Sequence, residues 1–316
     1  MEREWNRICA KRIRSGLNQA GADFFDRVEE IRLRVGQPLA VTMENGNYYL
    51  TAAGQLTTRW EEGMLISESD MAETMEYVSS YSRYAYAEEL RQGFITVRGG
   101  HRVGLCGKTV VAEGKVRGLK YIQGLNIRVA RQVPGCADAL YPRLYADGLC
   151  HVLLASPPGC GKTTLLRDLV RRLSDGGDGR AGVRVSLVDE RSEIAACYQG
   201  LPQNDVGRNT DVLDGCPKAE GMTQMIRTMN PQVLAVDEIG TVEDLAALEL
   251  AVTCGCQVLA TVHAGSWEEL RGKPGLDRLL REHLFRHLVF LERTGSGRVR
   301  WRLRTELGEE AAWGWR

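Results

Sequence analysis

The residues best equipped for chemistry lie mid-chain, in Ser156-Pro157-Pro158-Gly159-Cys160-Gly161-Lys162-Thr163-Thr164. Glycines at 159 and 161 let successive backbone N–H groups converge on an anion, and a helix starting here adds the positive end of its dipole. Lys162 then reaches the β and γ phosphates of a nucleotide, and the Thr163 hydroxyl is a ligand for Mg²⁺. Pro158, Gly159, Cys160, Gly161, Lys162, Thr163 and Thr164 therefore read as a P-loop, a cradle for the phosphates of ATP. Ser156 stands where the usual pattern has its first glycine.

Such a cradle hydrolyses poorly without carboxylates to orient the metal and the attacking water. Asp237-Glu238 closes the apolar run Val233–Val236. Asp237 is expected to hold Mg²⁺ and Glu238 to act as general base. Asp189-Glu190-Arg191-Ser192-Glu193 closes another such run, bringing Glu193 towards the same nucleotide and offering Glu190 as a further metal ligand. A fourth segment, Leu259 to Ser266, carries Thr261 and His263. His263 reads either as a sensor of the γ-phosphate or as a histidine satisfied at a sheet edge.

Four stations of this kind need a scaffold that ends several strands at one place. His151–Ala155, Arg184–Val188, Val233–Val236 and Val258–Val262 are near-continuous apolar runs, as parallel strands covered on both faces should be. Between them Met222, Met225, Ile226 and Met229 follow helical spacing, as do Leu245, Leu248 and Val252 behind Thr241-x-x-Asp244. The tail from Leu288 to Arg304 alternates around Thr294-Gly-Ser-Gly297 and predicts a terminal hairpin. Upstream the rhythm differs. Glu30 to Ala40 alternates as one strand, Asn45-Gly46 offers a turn before Tyr48-Tyr49-Leu50, and a helix starts at Ser67 and runs towards Arg91. Phe94–Val97, Val103–Leu105 and Thr109–Ala112 are short β-prone runs punctuated by glycine. Residues 1–132 thus read as an α+β domain, 133–148 (with Pro134-Gly135, Pro142 and Asp147-Gly148) as a hinge-bearing linker, and 149–316 as the P-loop domain.

The chain has 316 residues, 43% of them hydrophobic and 26% charged, enough for two packed domains and too apolar for disorder. Its 41 basic and 41 acidic residues cancel, which removes any overall attraction to nucleic acid or an anionic membrane. A local exception keeps a second reading in play, that of a nucleotide-gated nucleic-acid binder. Arg91, Arg98, His101, Arg102, Lys108, Lys115, Arg117 and Lys120 are interleaved with Phe94 and Tyr121. The most apolar stretch, Leu245 to Ala264, is broken by Glu249 and Gln257, and the first ten residues lack a secretory core, so a soluble, cytoplasmic protein is expected. Nine cysteines with no CxxC pair suggest reduced thiols without zinc.

With these stations in order, the chain resembles the ATPases of type II and type IV secretion systems. Asp189-Glu-x-x-Glu193 looks like their acidic box, the approach from Ile226 to Glu238 their Walker B segment, and Ala260-Thr-Val-His263-Ala their histidine box, with Glu238 at the catalytic glutamate. Asp237 departs from the family, which has glycine there. Nearly the whole chain is similar to the stage III sporulation AA family of this class. The matching stretches are Glu30 to Pro38, Gly124 to Ala130, Ser156 to Asp168, Asp189 to Ile194 and Val236 to Gly240. The resemblance implies an α/β fold, with a RecA/AAA-like P-loop NTPase domain behind a smaller α+β domain. It also implies Mg²⁺-dependent ATP hydrolysis in a hexameric ring. The implied partners are membrane-embedded channel proteins, reached from the mother-cell cytoplasm of a sporulating bacterium. Arg208 and Arg227 are the candidates for arginines reaching across a subunit interface, each read alternatively as a surface or helix-face arginine.

Overall fold

The computed structural model describes residues 4–79, 93–177, 179–295, 298–305 and 308–313. The chain divides into two compact units, Met1–Arg131 and Gln132–Arg316.

In the first unit, short helices α1 (Glu4–Arg7), α2 (Lys11–Gln19) and α3 (Ala22–Arg27) precede strands β1 (Val28–Arg34), β2 (Ala40–Met43), β3 (Gly46–Leu50) and β4 (Leu56–Thr57). Helix α4 (Glu68–Val78) and strands β5 (Phe94–Val97), β6 (His101–Ala112) and β7 (Lys115–Arg128) follow. The strands form an antiparallel sheet in the order β4-β3-β2-β1-β7-β6-β5. Ile31, Leu33, Val103, Leu125 and Ile127 supply its buried face, packed against Ile13, Leu17 and Met71. Helix α4 starts as its sequence suggests: the Ser67 hydroxyl accepts from the Asp70 N–H, and the Asp70 carboxylate accepts from the Ser67 N–H. The expected continuation of this helix to Arg91 lies outside the described residues.

Two local expectations change. Glu30 to Ala40 is not one strand, because Gly36 adopts φ +74° and Pro38 has no N–H to donate, so the chain folds back from β1 into β2. The turn before Tyr48 joins β2 to β3, with Met43 opposite Gly46. The runs at 103–105 and 109–112 are one long strand, β6. Gly107 lies inside it because a Cβ there would stand 2.8 Å from the Lys120 carbonyl.

The second unit contains α5 (Tyr141–Leu144), β8 (Val152–Ser156), α6 (Lys162–Asp175), a small β9 (Gly176–Gly177) and β10 (Arg180–Ala181) ribbon, β11 (Val185–Asp189) and β12 (Thr210–Asp214). Then come α7 (Lys218–Met229), β13 (Val233–Val236), α8 (Val242–Thr253), β14 (Gln257–His263), α9 (Trp267–Arg271), α10 (Leu276–Arg281), β15 (His287–Arg293), β16 (Val299–Thr305) and β17 (Gly308–Trp313). One sheet runs β12-β11-β13-β14-β8-β15-β16-β17. Its strands are parallel from β12 to β15, and the terminal β15–β16 hairpin turns the rest antiparallel. Period-two alternation sends Leu154, Leu187, Ala235 and Leu259 into one core, and Leu153, Val188, Leu234 and Ala260 into another on the opposite face. This is why the strands read as continuous apolar runs. Strand β12 carries no such apolar run, because it is an edge strand that is half-exposed up to Leu213 and includes Asp211 and Asp214.

The stretch 133–148 is not a free linker. Ala137, Leu140, Tyr141, Leu144 and Tyr145 are buried in the same core as Leu165 and Leu169 of α6, and the Ala137 N–H donates to the buried Asp168 carboxylate at 2.8 Å. Those five side chains recur at helical spacing, a signal hidden beneath the prolines and glycines around them.

Candidate active site

Strand β8 delivers the chain into the loop 157–161, and α6 begins at Lys162. Gly159 and Gly161 hold φ +76° and +86°, a left-handed backbone that only glycine adopts without strain. Gly161 is the N-cap of α6 and makes no side-chain capping bond, so the first-turn N–H groups face the loop uncapped. Free donors, a positive helix end and a glycine hinge suit this loop to phosphate.

Parallel pairing of β14 with β8 sets His263 opposite Ser156, and that of β13 with β14 sets Val236 opposite Ala260. Asp237, Glu238, Thr261 and His263 therefore arrive at the carboxyl edge beside the P-loop, where open α/β sheets bind ligands. Thr163 Oγ1 donates to Asp237 Oδ2 at 3.1 Å. Thr261 is fully buried. Its hydroxyl donates to Asp237 Oδ1 and accepts the Glu238 N–H at 2.8 Å, holding Glu238 in a left-handed backbone at φ +52°.

The His263 ring ties the lysine to the glutamate. Lys162 Nζ lies 2.9 Å from Nδ1, and Nε2 lies 2.7 Å from Glu238 Oε1. An ammonium can only donate, so Nδ1 accepts and the ring hydrogen sits on Nε2, pointing at the carboxylate. Glu238 Oε2 meets Arg191 Nη1 at 3.1 Å, completing a chain Lys162–His263–Glu238–Arg191.

Burial dominates the electrostatics. It pushes Lys162 below its ordinary range, opposed by the charges of Asp237 and Glu238. It pushes Asp237 up, opposed by the Thr261 hydrogen bond. Asp189 is pushed up to about 6 by burial, although its carboxylate accepts N–H groups of Glu193, Ile194 and Ala195 at 2.8–2.9 Å. Asp189 thus fastens the loop after β11. Arg167 of α6 grips the same loop through the Glu193 and Ile194 carbonyls.

The other expected site residues divide. Glu190, Arg191 and Glu193 line one small pocket with Asp237 and Glu238. Glu190 pairs with Lys218 at 2.6 Å. Cys160 is buried in the P-loop, and Pro158 is exposed at its bend. Arg208 pairs with Asp175 at the far end of α6, about 20 Å from the P-loop at 1.5 Å per residue. Arg227 is exposed in the last turn of α7, which leads into the amino end of β13, away from the site. Arg191 has no sequence signal for this place: it sits inside an acidic stretch, 47 positions from the glutamate that it meets.

The residues fit Mg²⁺. Among the described residues no three His, Cys, Asp or Glu side chains gather as ligands, but this ion keeps several waters and takes one or two protein oxygens plus substrate phosphates. Thr163 and Asp237, already in contact, are such oxygens.

A parallel sheet whose carboxyl edge gathers a P-loop, an Asp-Glu pair and a histidine defines a P-loop NTPase fold. The chain belongs to the family described as sporulation stage III, protein AA, whose model matches residues 1–307. Over 293 residues it is 41% identical to "Stage III sporulation protein AA" of Bacillus subtilis (strain 168), covering 92% of each chain. A partial relative, "Protein SEEDLING PLASTID DEVELOPMENT 1" of Arabidopsis thaliana, is 32% identical over 160 residues, half of this chain and 22% of that protein. Among solved structures, the pilus retraction motor PilT with bound ADP matches at TM-score 0.57 and 15% identity, over 88% of this chain and 79% of that one. The Legionella pneumophila ATPase DotB matches at 0.55 and 16%, over 92% and 79%. The secretion-ATPase likeness is one of fold.

Proposed function

We propose that this protein hydrolyses ATP with Mg²⁺ at the carboxyl edge of its parallel sheet. The observation that carries the reading is the convergence of Lys162, Thr163, Asp237, Glu238 and His263, from two strand ends and a helix, on one uncapped helix start. The P-loop amides and Lys162 bind the phosphates, and Thr163 with Asp237 would hold Mg²⁺, which neutralises charge on them. Glu238 accepts the proton of the attacking water. Before nucleotide arrives its two oxygens are engaged by His263 and Arg191. Phosphate competes with His263 for Lys162, which releases the ring and, through it, the glutamate.

Family membership and fold support a fuller reading, in which the protein acts in sporulation as a ring-forming motor, a hexamer, on membrane-embedded channel proteins reached from the mother-cell cytoplasm. Among the described residues no helix is long and apolar enough to cross a membrane, consistent with attachment through such partners. Arg208 and Arg227 lie too far from their own P-loop to serve it, so any part they take in hydrolysis is at the site of a neighbouring subunit, and otherwise they are surface arginines.

The nucleic-acid reading loses support. Burial pushes His101 down to about 4, leaving it neutral, and Arg102 stacks over Phe94 at 4.0 Å. Arg91 and the Lys115 side chain lie outside the described residues.

Phosphate release by wild type, Lys162→Ala and Glu238→Gln, measured across protein concentrations, tests the proposal. Turnover should rise with concentration and vanish in both variants, with ATP binding kept only by Glu238→Gln. Binding without turnover at every concentration would leave ATP as a structural ligand.

A further inference from the structure

Strands β6 and β7 run on beyond the rest of their sheet. Their flanking strands cover only one end: β1 pairs with β7 over Gly124–Arg128, and β5 pairs with β6 over His101–Gly104. From Cys106 to Tyr121 the chain is a two-stranded ribbon turned at Glu113-Gly114, both at positive φ, which gives the tight turn that suits a hairpin. A bare ribbon of this length is marginal in water.

Its side chains do little to stabilise it. Val111 faces Val116 across the strands near the turn, 58% and 48% exposed, and Tyr121 is 81% exposed. Lys108 stands directly opposite Lys120, a cross-strand pair of like charge that costs stability. Three of the chain's seven lysines lie in this ribbon, and between Phe94 and Arg131 Glu113 is the sole acidic residue. In a chain of zero net charge, that is a concentrated basic arm tipped with aliphatic side chains.

We propose that the ribbon seats the protein directly on an anionic lipid surface, with Lys108 and Lys120 among headgroup phosphates and Val111, Val116 and Tyr121 at the interface. Lysines flanking apolar residues and a lone tyrosine are the chemistry of interfacial anchoring, the long stems lying along the apolar zone while the charges stay wet. Strand addition by a peptide is opposed by the device that proteins use against it, edge lysines together with bulges, here between Cys106 and Lys108 and between Val110 and Val111. Nucleic acid would want exposed aromatic platforms, and the ribbon offers aliphatic side chains and one tyrosine. The unpaired ribbon edges limit the depth of insertion to the headgroup layer. This inference does not depend on the ATPase reading.

Flotation of the full chain with vesicles of phosphatidylcholine, alone or mixed with phosphatidylglycerol, tests it. Binding is expected only to the anionic vesicles and should disappear at about 1 M salt, where screening acts within about 3 Å. The double variant Lys108→Gln, Lys120→Gln should partition about thirtyfold more weakly, about fivefold for each lysine removed near an anionic leaflet. Because it relieves a like-charge pair, this variant should melt no lower than the parent, which separates lost binding from lost folding. Equal flotation with neutral vesicles, no flotation with either, or unchanged flotation of the double variant would overturn the proposal. So would an oligonucleotide or an acidic protein that binds the ribbon in preference to lipid.

Discussion

Glu238 occupies a backbone conformation that costs a residue with a side chain roughly 1–2 kcal/mol. Thr261, through the Glu238 N–H and the Asp237 carboxylate, is what keeps it there. Thr261→Val preserves shape in a fully buried site but removes both bonds, so phosphate release should fall about a hundredfold, the penalty for a displaced catalytic group. ATP affinity should change far less. Arg191 offers a contrast in magnitude. Its side chain is 63% exposed, and exposed ion pairs are worth about 1 kcal/mol at most. Arg191→Ala should therefore raise single-turnover hydrolysis by no more than about fivefold, by freeing a carboxylate otherwise held. A loss of activity would instead make Arg191 a direct participant. At this scale, contiguous chemistry was readable: Gly159 to Thr164 and Asp237-Glu238 are each one unbroken stretch. Arg191 and Thr261 act through space, and nothing in the one-dimensional order ties Arg191 to a glutamate on the next strand.

Elements with regular periodicity were legible as well, and those with mixed signals were not. The capping boxes at Ser67 and Thr241 start α4 and α8 as their spacing requires. At 133–148, by contrast, prolines and glycines outweighed a helical stripe that the core of the second unit buries. Leu140→Ala should accordingly destabilise that unit by about 2–5 kcal/mol in urea unfolding, as for a core leucine. A change below about 0.5 kcal/mol is what a surface or linker position would give. In β6, His101 Nδ1 accepts the Ala130 N–H at 2.9 Å, and burial holds the imidazole down to about 4, below its unfolded value of 6.5. The unfolded chain therefore takes up a proton first. The stability His101 contributes is complete above pH 6.5 and is lost as pH falls towards 4, by at most about 3 kcal/mol. Urea titrations of the parent should show that decline in the first unit. In His101→Gln, which keeps an acceptor but cannot charge, the decline should be shallower.

For the whole molecule, the decisive question is whether one chain makes a complete site. Arg208 and Arg227 stand away from the P-loop of their own subunit, so their proposed role requires a neighbour. Mixing a double Arg208→Ala, Arg227→Ala variant with Glu238→Gln protein should restore part of the turnover that each lacks alone, because mixed interfaces pair an intact glutamate with intact arginines. No recovery at any ratio would remove these arginines from the reaction.

One imidazole ties Lys162 to Glu238, and coupling between two sites is reciprocal in free energy. If nucleotide loosens the His263–Glu238 contact, that contact in turn opposes nucleotide binding, so a change at Glu238 is felt in nucleotide affinity. A glutamine at 238 should therefore shift nucleotide affinity as well as hydrolysis. The two properties cannot be tuned one at a time while the ring of His263 stands between them.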